Sequence, residues 1–259
     1  MKELSLAGKT VWITGASAGI GESCARAFAA TGANVLVTAR RAERVRTLAA
    51  ELSKLHGVLT RSAGLDVRDG SAVDGFVASL DGPWAEIAVL VNNAGLARGL
   101  EPVHEGSIED WDEMIDTNVK GLLRVSRAAI PGMLARGRGH VINIGSVAGH
   151  EVYPGGNVYC ATKHAVAALT RAMRWDYVDT ALRFTAIDPG LVETEFSLVR
   201  FHGDGEKAAR PYRGIDPLTA DDVADAVVWA ATRQPNVNVG ELVMTPVHLA
   251  SMTRVSRTE

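Results

Sequence analysis

Cysteine is nearly missing from this chain of 259 residues. The two present, Cys24 and Cys160, cannot build a disulfide framework, and reduced thiols in a cytoplasmic setting are the expectation. A block of basic residues is missing too. Net charge is −3 with both signs interspersed, which excludes the electrostatic footprint of a nucleic-acid surface. No unbroken apolar run approaches the roughly 20 residues of a membrane-spanning helix. The opening Met1-Lys2-Glu3-Leu4-Ser5 has no secretory apolar core behind it. Internal repeats and low-complexity segments are absent, and nothing calls for a metal. What the chain does have is 47% hydrophobic composition, enough for one large core, so a single domain over 1–259 is expected.

Short apolar runs at 10–14, 34–38, 58–65, 88–91, 141–144, 182–187 and 241–245 read as strands. Between them lie helical patterns, at 42–55 and 71–80 among others. Seven strands alternating with helices call for an α/β fold, a doubly wound parallel sheet of Rossmann type covered on both faces. Ligands in such sheets bind at the carboxyl ends of the strands.

Several chemistry-bearing residues fall at those ends. The first strand runs straight into Gly15, Gly19 and Gly21, and a helix with Cys24, Ala25, Phe28 and Ala29 at helical spacing follows. Strand, glycine turn and helix together suit a pyrophosphate, although a tight turn without a ligand uses the same glycines. After the second strand, an NAD site would place an acid on the ribose. That acid is missing here, and Arg40 and Arg41 stand in its place. Guanidiniums grip phosphate oxygens in pairs, so the pattern points to a 2′-phosphate and hence to NADP. Asp66, after the third strand, accepts from an adenine amine or caps the next helix. Asn92, Asn93, Ala94 and Gly95 form a close-approach turn after the fourth.

Ser107 and Asp110 resemble a capping box. The helix they open has Ile108, Trp111, Ile115, Val119 and Leu122 on one stripe. Asn118 interrupts it, as an exposed position or as a local opening of the hydrogen-bond ladder. Ser146 follows the fifth strand. Tyr159 and Lys163 lie four apart on one helix face. A phenol beside an ammonium can move a proton, because a nearby positive charge lowers the phenol pKa. The stretch 190–217 has little periodicity and is expected to be a lid over the site. Arg200 or Arg213 within it could pair with an anionic substrate group. Thr219 and Asp222 cap the last long helix, and the polar tail from Ser251 is expected to be loose.

Taken together, Gly15, Gly19, Gly21, the Asn92–Gly95 turn, Asn118, Ser146, Tyr159, Lys163, Pro189 and Gly190 resemble the short-chain dehydrogenase/reductase family over nearly the whole chain. The stretches 112–121, 155–159 and 194–201 resemble, more narrowly, its NADP-dependent serine/3-hydroxy acid dehydrogenase group, with relatives that reduce sulfoacetaldehyde or malonate semialdehyde. The resemblance implies hydride transfer, with Tyr159 as acid or base and Ser146 on the substrate oxygen. It gives Lys163 to the phenol pKa and the nicotinamide ribose, and Asn118 to a proton-relaying water. It adds Ser17, Ile20, Val67, Val192 and Thr194 to the cofactor contacts, Tyr153 to the substrate contacts, and a homotetramer paired through helices at 107–136 and 156–180. His150, Glu151 and Cys160 line or neighbour the expected pocket. A non-catalytic NADP(H) sensor is the alternative of another class, and an intact Ser146, Tyr159 and Lys163 set argues against it.

Overall fold

Thr10–Thr14 (β1) is β-branched at four of its five positions and buried throughout, as a strand covered on both faces must be. In the computed structural model, which describes residues 4–258, it sits in the middle of a seven-stranded sheet. The chain continues through α1 (Gly19–Ala30), β2 (Asn34–Ala39), α2 (Ala42–His56), β3 (Thr60–Gly64), α3 (Gly70–Ala78) and β4 (Ile87–Asn92). Then come α4 (Ile108–Ile115), α5 (Leu122–Ala135), β5 (Gly139–Ile144), α6 (Asn157–Asp176) and β6 (Leu182–Pro189). The last elements are α7 (Phe196–Arg200), α8 (Gly205–Ala209), α9 (Ala220–Ala231), β7 (Glu241–Met244), β8 (Leu249–Ser251) and β9 (Arg254–Val255).

The strand order is β3-β2-β1-β4-β5-β6-β7, every neighbouring pair parallel. The order reverses between β1 and β4, so a crevice opens there at the carboxyl ends. Alternate side chains of each strand feed two cores. Val11 and Ile13 join Phe28, Leu52 and Val227 on one face. Trp12 and Leu90 join Val125, Met133 and Phe184 on the other.

The doubly wound sheet is as expected, and four local expectations are corrected. Asp66 does not cap α3; Asp69 does, accepting from Ala72 N at 3.0 Å. Ser107 caps α4 by accepting from Asp110 N, but the Asp110 carboxylate faces His202 at 3.1 Å instead of closing a box. The single apolar stripe fails because residues Asp116–Gly121 form a π-turn. The wider turn shifts the phase of α5 relative to α4, leaving Ile108 and Ile115 exposed while Met114 and Leu122 are buried. The tail is not loose either. β8 and β9 pair as a hairpin, Thr258 N donates to Gly214 O at 2.9 Å, and Arg257 donates to Pro211 O at 3.2 Å. Thr219 and Asp222 do close a full capping box on α9.

Candidate active site

The glycine turn owes its shape to Asn93. Its side-chain amide donates to Thr14 O at 2.9 Å and to Gly15 O at 3.2 Å, tying the end of β4 to the end of β1. Packing is then so close that a Cβ on Gly21 would lie 2.4 Å from Asn93 Nδ2 and 2.6 Å from Gly15 O. Gly15 itself has φ +66°, with a Cβ position 2.8 Å from Ala94 Cα. Only glycine allows this turn. The cradle it forms, ahead of the first turn of α1, fits a pyrophosphate.

That turn forms one end of a cleft of about 710 Å³. Gly15, Ser17, Gly19, Ile20, Arg40 and Arg41 line it, as do Asp66, Val67, Asn93, Pro189, Gly190, Val192 and Thr194. Gly21 lies beneath the turn and shapes it without facing the cleft. At the end of the cleft beside the glycine turn, Arg40 Nη1 is 3.0 Å from Glu113. Arg41 reaches Ser17 Oγ at 3.0 Å and Glu195 at 2.7 Å. Asp66 accepts from the backbone and guanidinium of Arg68, and that hydrogen-bonded guanidinium, working against partial burial, holds its pKa low. Arg44 and Glu195 also line the cleft. The sequence offered Arg44 only as one more charge on a helix, so nothing local marked it.

At the other end, Ser146, Tyr153, Tyr159, Lys163 and Arg200 converge. Ser146 lies two residues past the end of β5 and accepts from Ala148 N. The first turn of α6 delivers Tyr159 and the second Lys163, whose Nζ donates to Ile144 O at 2.9 Å. The ammonium lies 5.9 Å from the centre of the Tyr159 ring. Burial brings its pKa from 10.5 down to about 8, with the Asp188 carboxylate opposing.

The expected effect of Lys163 on the phenol is not what the geometry produces. Burial, reinforced by Tyr153, pushes the Tyr159 hydroxyl up, while the Arg200 charge and the bond with Ser146 oppose it. The cation against that ring is Arg200, 4.9 Å from its centre. Tyr159 therefore holds its proton at neutral pH and is set up as a proton donor.

A linkage prediction follows for Lys163. Its depressed pKa costs stability in full below about 8, and the cost is relieved as pH rises toward 10.5. The difference corresponds to about 3 kcal/mol. Urea unfolding of the wild type and Lys163→Met at pH 7 and pH 10 should therefore show the stability gap between them shifting by about 2–3 kcal/mol in favour of the wild type. A gap that stays constant with pH would mean that burial leaves this amine unperturbed.

Asn118 does not face the cleft; Thr117 lines it instead. The Asn118 side chain is taken up by Leu96, giving to its O at 2.8 Å and accepting from its N at 2.9 Å, and it donates to Thr162 Oγ1. His150 and Glu151 belong to a separate cavity of about 250 Å³ under β8. His150 meets the buried Asp188 at 2.9 Å, and Glu151 accepts from Met252 N. Cys160 is buried behind Tyr159 in a small apolar cluster.

The stretch 190–217 is more ordered than expected, since α7 and α8 lie within it. Arg98 donates to Val199 O, and Gly99 N donates to Arg200 O at 3.0 Å, docking α7 over the cleft. Arg200 Nη2 donates to Tyr153 Oη at 2.7 Å. Its buried Nε has no hydrogen-bond partner among the described residues. Arg213 is exposed and does not line the cleft, so of the two candidates only Arg200 is brought to the site. Phe196, 5.6 Å from Tyr159 ring to ring, completes that wall and was not anticipated.

Comparison with known proteins agrees with this geometry. The model of the family described as short chain dehydrogenase matches residues 9–203. The chain is 52% identical over 238 residues to the NADP-dependent 3-hydroxy acid dehydrogenase YdfG of Salmonella typhi, covering 92% of this chain and 94% of that protein. It is 40% identical over 240 residues to the serine 3-dehydrogenase of Agrobacterium fabrum, covering 92% and 94%. A solved closed form of serine dehydrogenase complexed with NADP+ superimposes with a TM-score of 0.90 at 46% identity, covering 96% of this chain and all of that one.

Proposed function

The chain belongs to the short chain dehydrogenase family and is an NADP-dependent oxidoreductase; from that premise we propose that it interconverts a small acidic hydroxy compound, of the 3-hydroxy acid or serine kind, with its carbonyl form. The observation that carries the substrate class is Arg200. Its guanidinium lines the cleft and lies over the ring of Tyr159, 4.9 Å from its centre. A carboxylate on the substrate would meet that cation in a charge-assisted hydrogen bond, stronger than one between neutral groups. The proteins most similar in name act on 3-hydroxy acids and serine, which supports the same reading.

The glycine turn and the arginines beside it would hold the dinucleotide. When bound, the nicotinamide supplies the hydride chemistry. Tyr159, protonated at neutral pH, would give its proton to the carbonyl oxygen in reduction, and in oxidation its phenolate form would take the proton of the substrate hydroxyl. Ser146, which lines the same end of the cleft as Tyr159, would hold that oxygen. Lys163, whose Nζ is held by Ile144 O, would contact the ribose of the bound cofactor. The π-turn at Asn118 serves a water on the route from Lys163 to solvent. Arg200 fixes the acid group so that the carbinol carbon is presented in one orientation.

Among the described residues, no helix is long and apolar enough to cross a membrane. A cytoplasmic homotetramer paired through α4–α5 and α6 is part of the proposal, supported by exposed Ile115, Leu123 and Leu134 on the first pair and Trp175 on the second.

The test follows nicotinamide absorbance with NADP or NAD and each of 3-hydroxypropionate, L-serine, L-allo-threonine and isethionate, on protein whose mass has been measured by sedimentation. Turnover with NADP and at least one hydroxy acid is expected. Turnover of isethionate alone would move the assignment to sulfoacetaldehyde reduction. Tight NADPH binding without turnover of any alcohol would favour a sensor. A clear preference for NAD would overturn the reading of Arg40 and Arg41, and a monomer would overturn the assembly.

A further inference from the structure

The lid brings a carboxylate to the arginines marked for a phosphate. Glu195, just ahead of α7, accepts from Arg41 Nη1 through Oε2 at 2.7 Å and from Arg44 Nη1 through Oε1 at 2.8 Å. Arg44 Nη1 also reaches Oε2 at 3.1 Å. Arg41 holds Ser17 in the glycine turn at the same time. A single carboxylate thus joins three segments that are distant in sequence, inside the main cleft. Arg40 takes no part, since it is turned toward Glu113. The side chains of Glu195, Arg41 and Arg44 are 43%, 44% and 51% exposed, so solvent and ligands reach all three.

Two oxygens on two guanidiniums is the arrangement a phosphate adopts on an arginine pair. The bonds from Arg41 and Arg44 keep Glu195 below the usual carboxylate range, so it is an anion at neutral pH. A second anion arriving at the same guanidiniums meets like-charge repulsion and a smaller share of the donors.

We propose that Glu195 is an internal competitor for the 2′-phosphate of the cofactor, occupying Arg41 and Arg44 and yielding them when that phosphate binds. This rests on the reading of the arginine pair as the 2′-phosphate site. Glu195 then weakens every ligand bearing that phosphate and leaves ligands without it unaffected. It also stands one residue ahead of the helix that carries Phe196 and Arg200 to Tyr159, so the phosphate end and the substrate end of the cleft share one short element.

The experiment is calorimetric titration of 2′,5′-ADP and of 5′-AMP, which lacks only the 2′-phosphate, into wild type, Glu195→Gln and Glu193→Gln. Glu193→Gln removes the same charge two residues earlier, from an exposed position. Because the pairs are partly exposed, a modest effect is expected: Glu195→Gln tightens 2′,5′-ADP about three- to tenfold, leaves 5′-AMP within twofold, and Glu193→Gln changes neither. Unchanged or weaker 2′,5′-ADP binding in Glu195→Gln overturns the competition, weaker binding making Glu195 a support for the arginines. Equal tightening in Glu193→Gln overturns it as well, in favour of a general field effect. If wild type shows no preference for 2′,5′-ADP over 5′-AMP, the phosphate site itself is wrong and the competition falls with it, a result distinct from the others.

Discussion

Tyr159→Phe lowers kcat about 10³-fold in both directions and leaves the fold and NADP binding intact. A positioned acid or base contributes about 10²–10⁴-fold, and Tyr159 is the hydroxyl at the substrate end of the cleft with its proton held by burial. Phenylalanine keeps the ring against Phe196 and Arg200, so packing is conserved and thermal stability changes little. Because the phenol is raised, the rate of carbonyl reduction by the wild type stays flat through the neutral range. It falls only where the phenol ionises, on the alkaline side of the ordinary tyrosine value. Nicotinamide absorbance against pH, with NADPH titrated separately by fluorescence, checks both statements. More than a tenth of wild-type activity in the Phe variant would remove Tyr159 from the proton step.

Arg200→Met lowers kcat/KM for an acidic substrate about 10²-fold, corresponding to the loss of a charge-assisted hydrogen bond. The effect is selective. A neutral alcohol of similar size loses little, since it never used the guanidinium. Arg200→Lys recovers only part of the loss, because an ammonium cannot reproduce the planar fork. The free protein is not destabilised in proportion. Its Nε donor is already buried without a partner among the described residues, so methionine removes an unsatisfied group as well as the bond to Tyr153. A melting temperature within a few degrees of wild type is therefore expected alongside the kinetic loss. Equal losses for acidic and neutral substrates would mean that Arg200 shapes the lid and does not read the substrate charge.

The sequence by itself determined the features that are local in the chain. Strand, glycine turn and helix follow one another within a dozen residues, and apolar runs alternating with helical periods require a parallel sheet. Tyr159 and Lys163 share a face because an α-helix repeats every 3.6 residues. Ser146 and Asn93 were legible as strand ends. Even the irregularity at Asn118 showed, because asparagine sits poorly inside a helix.

Only the tertiary structure decided what depends on long-range pairing and on burial. Arg41 and Glu195 are 154 residues apart, and no periodicity joins them. The choice of Arg200 over Arg213 was made by the docking of α7 on Arg98 and Gly99. The tail looked loose because its residues are polar, yet backbone and guanidinium donors bind it to the lid. His150 and Glu151 went to a second cavity because Asp188 and the hairpin residue Met252 supply their partners. The proton on Tyr159 is the clearest case. Residue spacing predicts a phenol lowered by Lys163, but ionisation depends on how much water a side chain keeps, and that was set by the packing of α6, α7 and the loop after β4 around it.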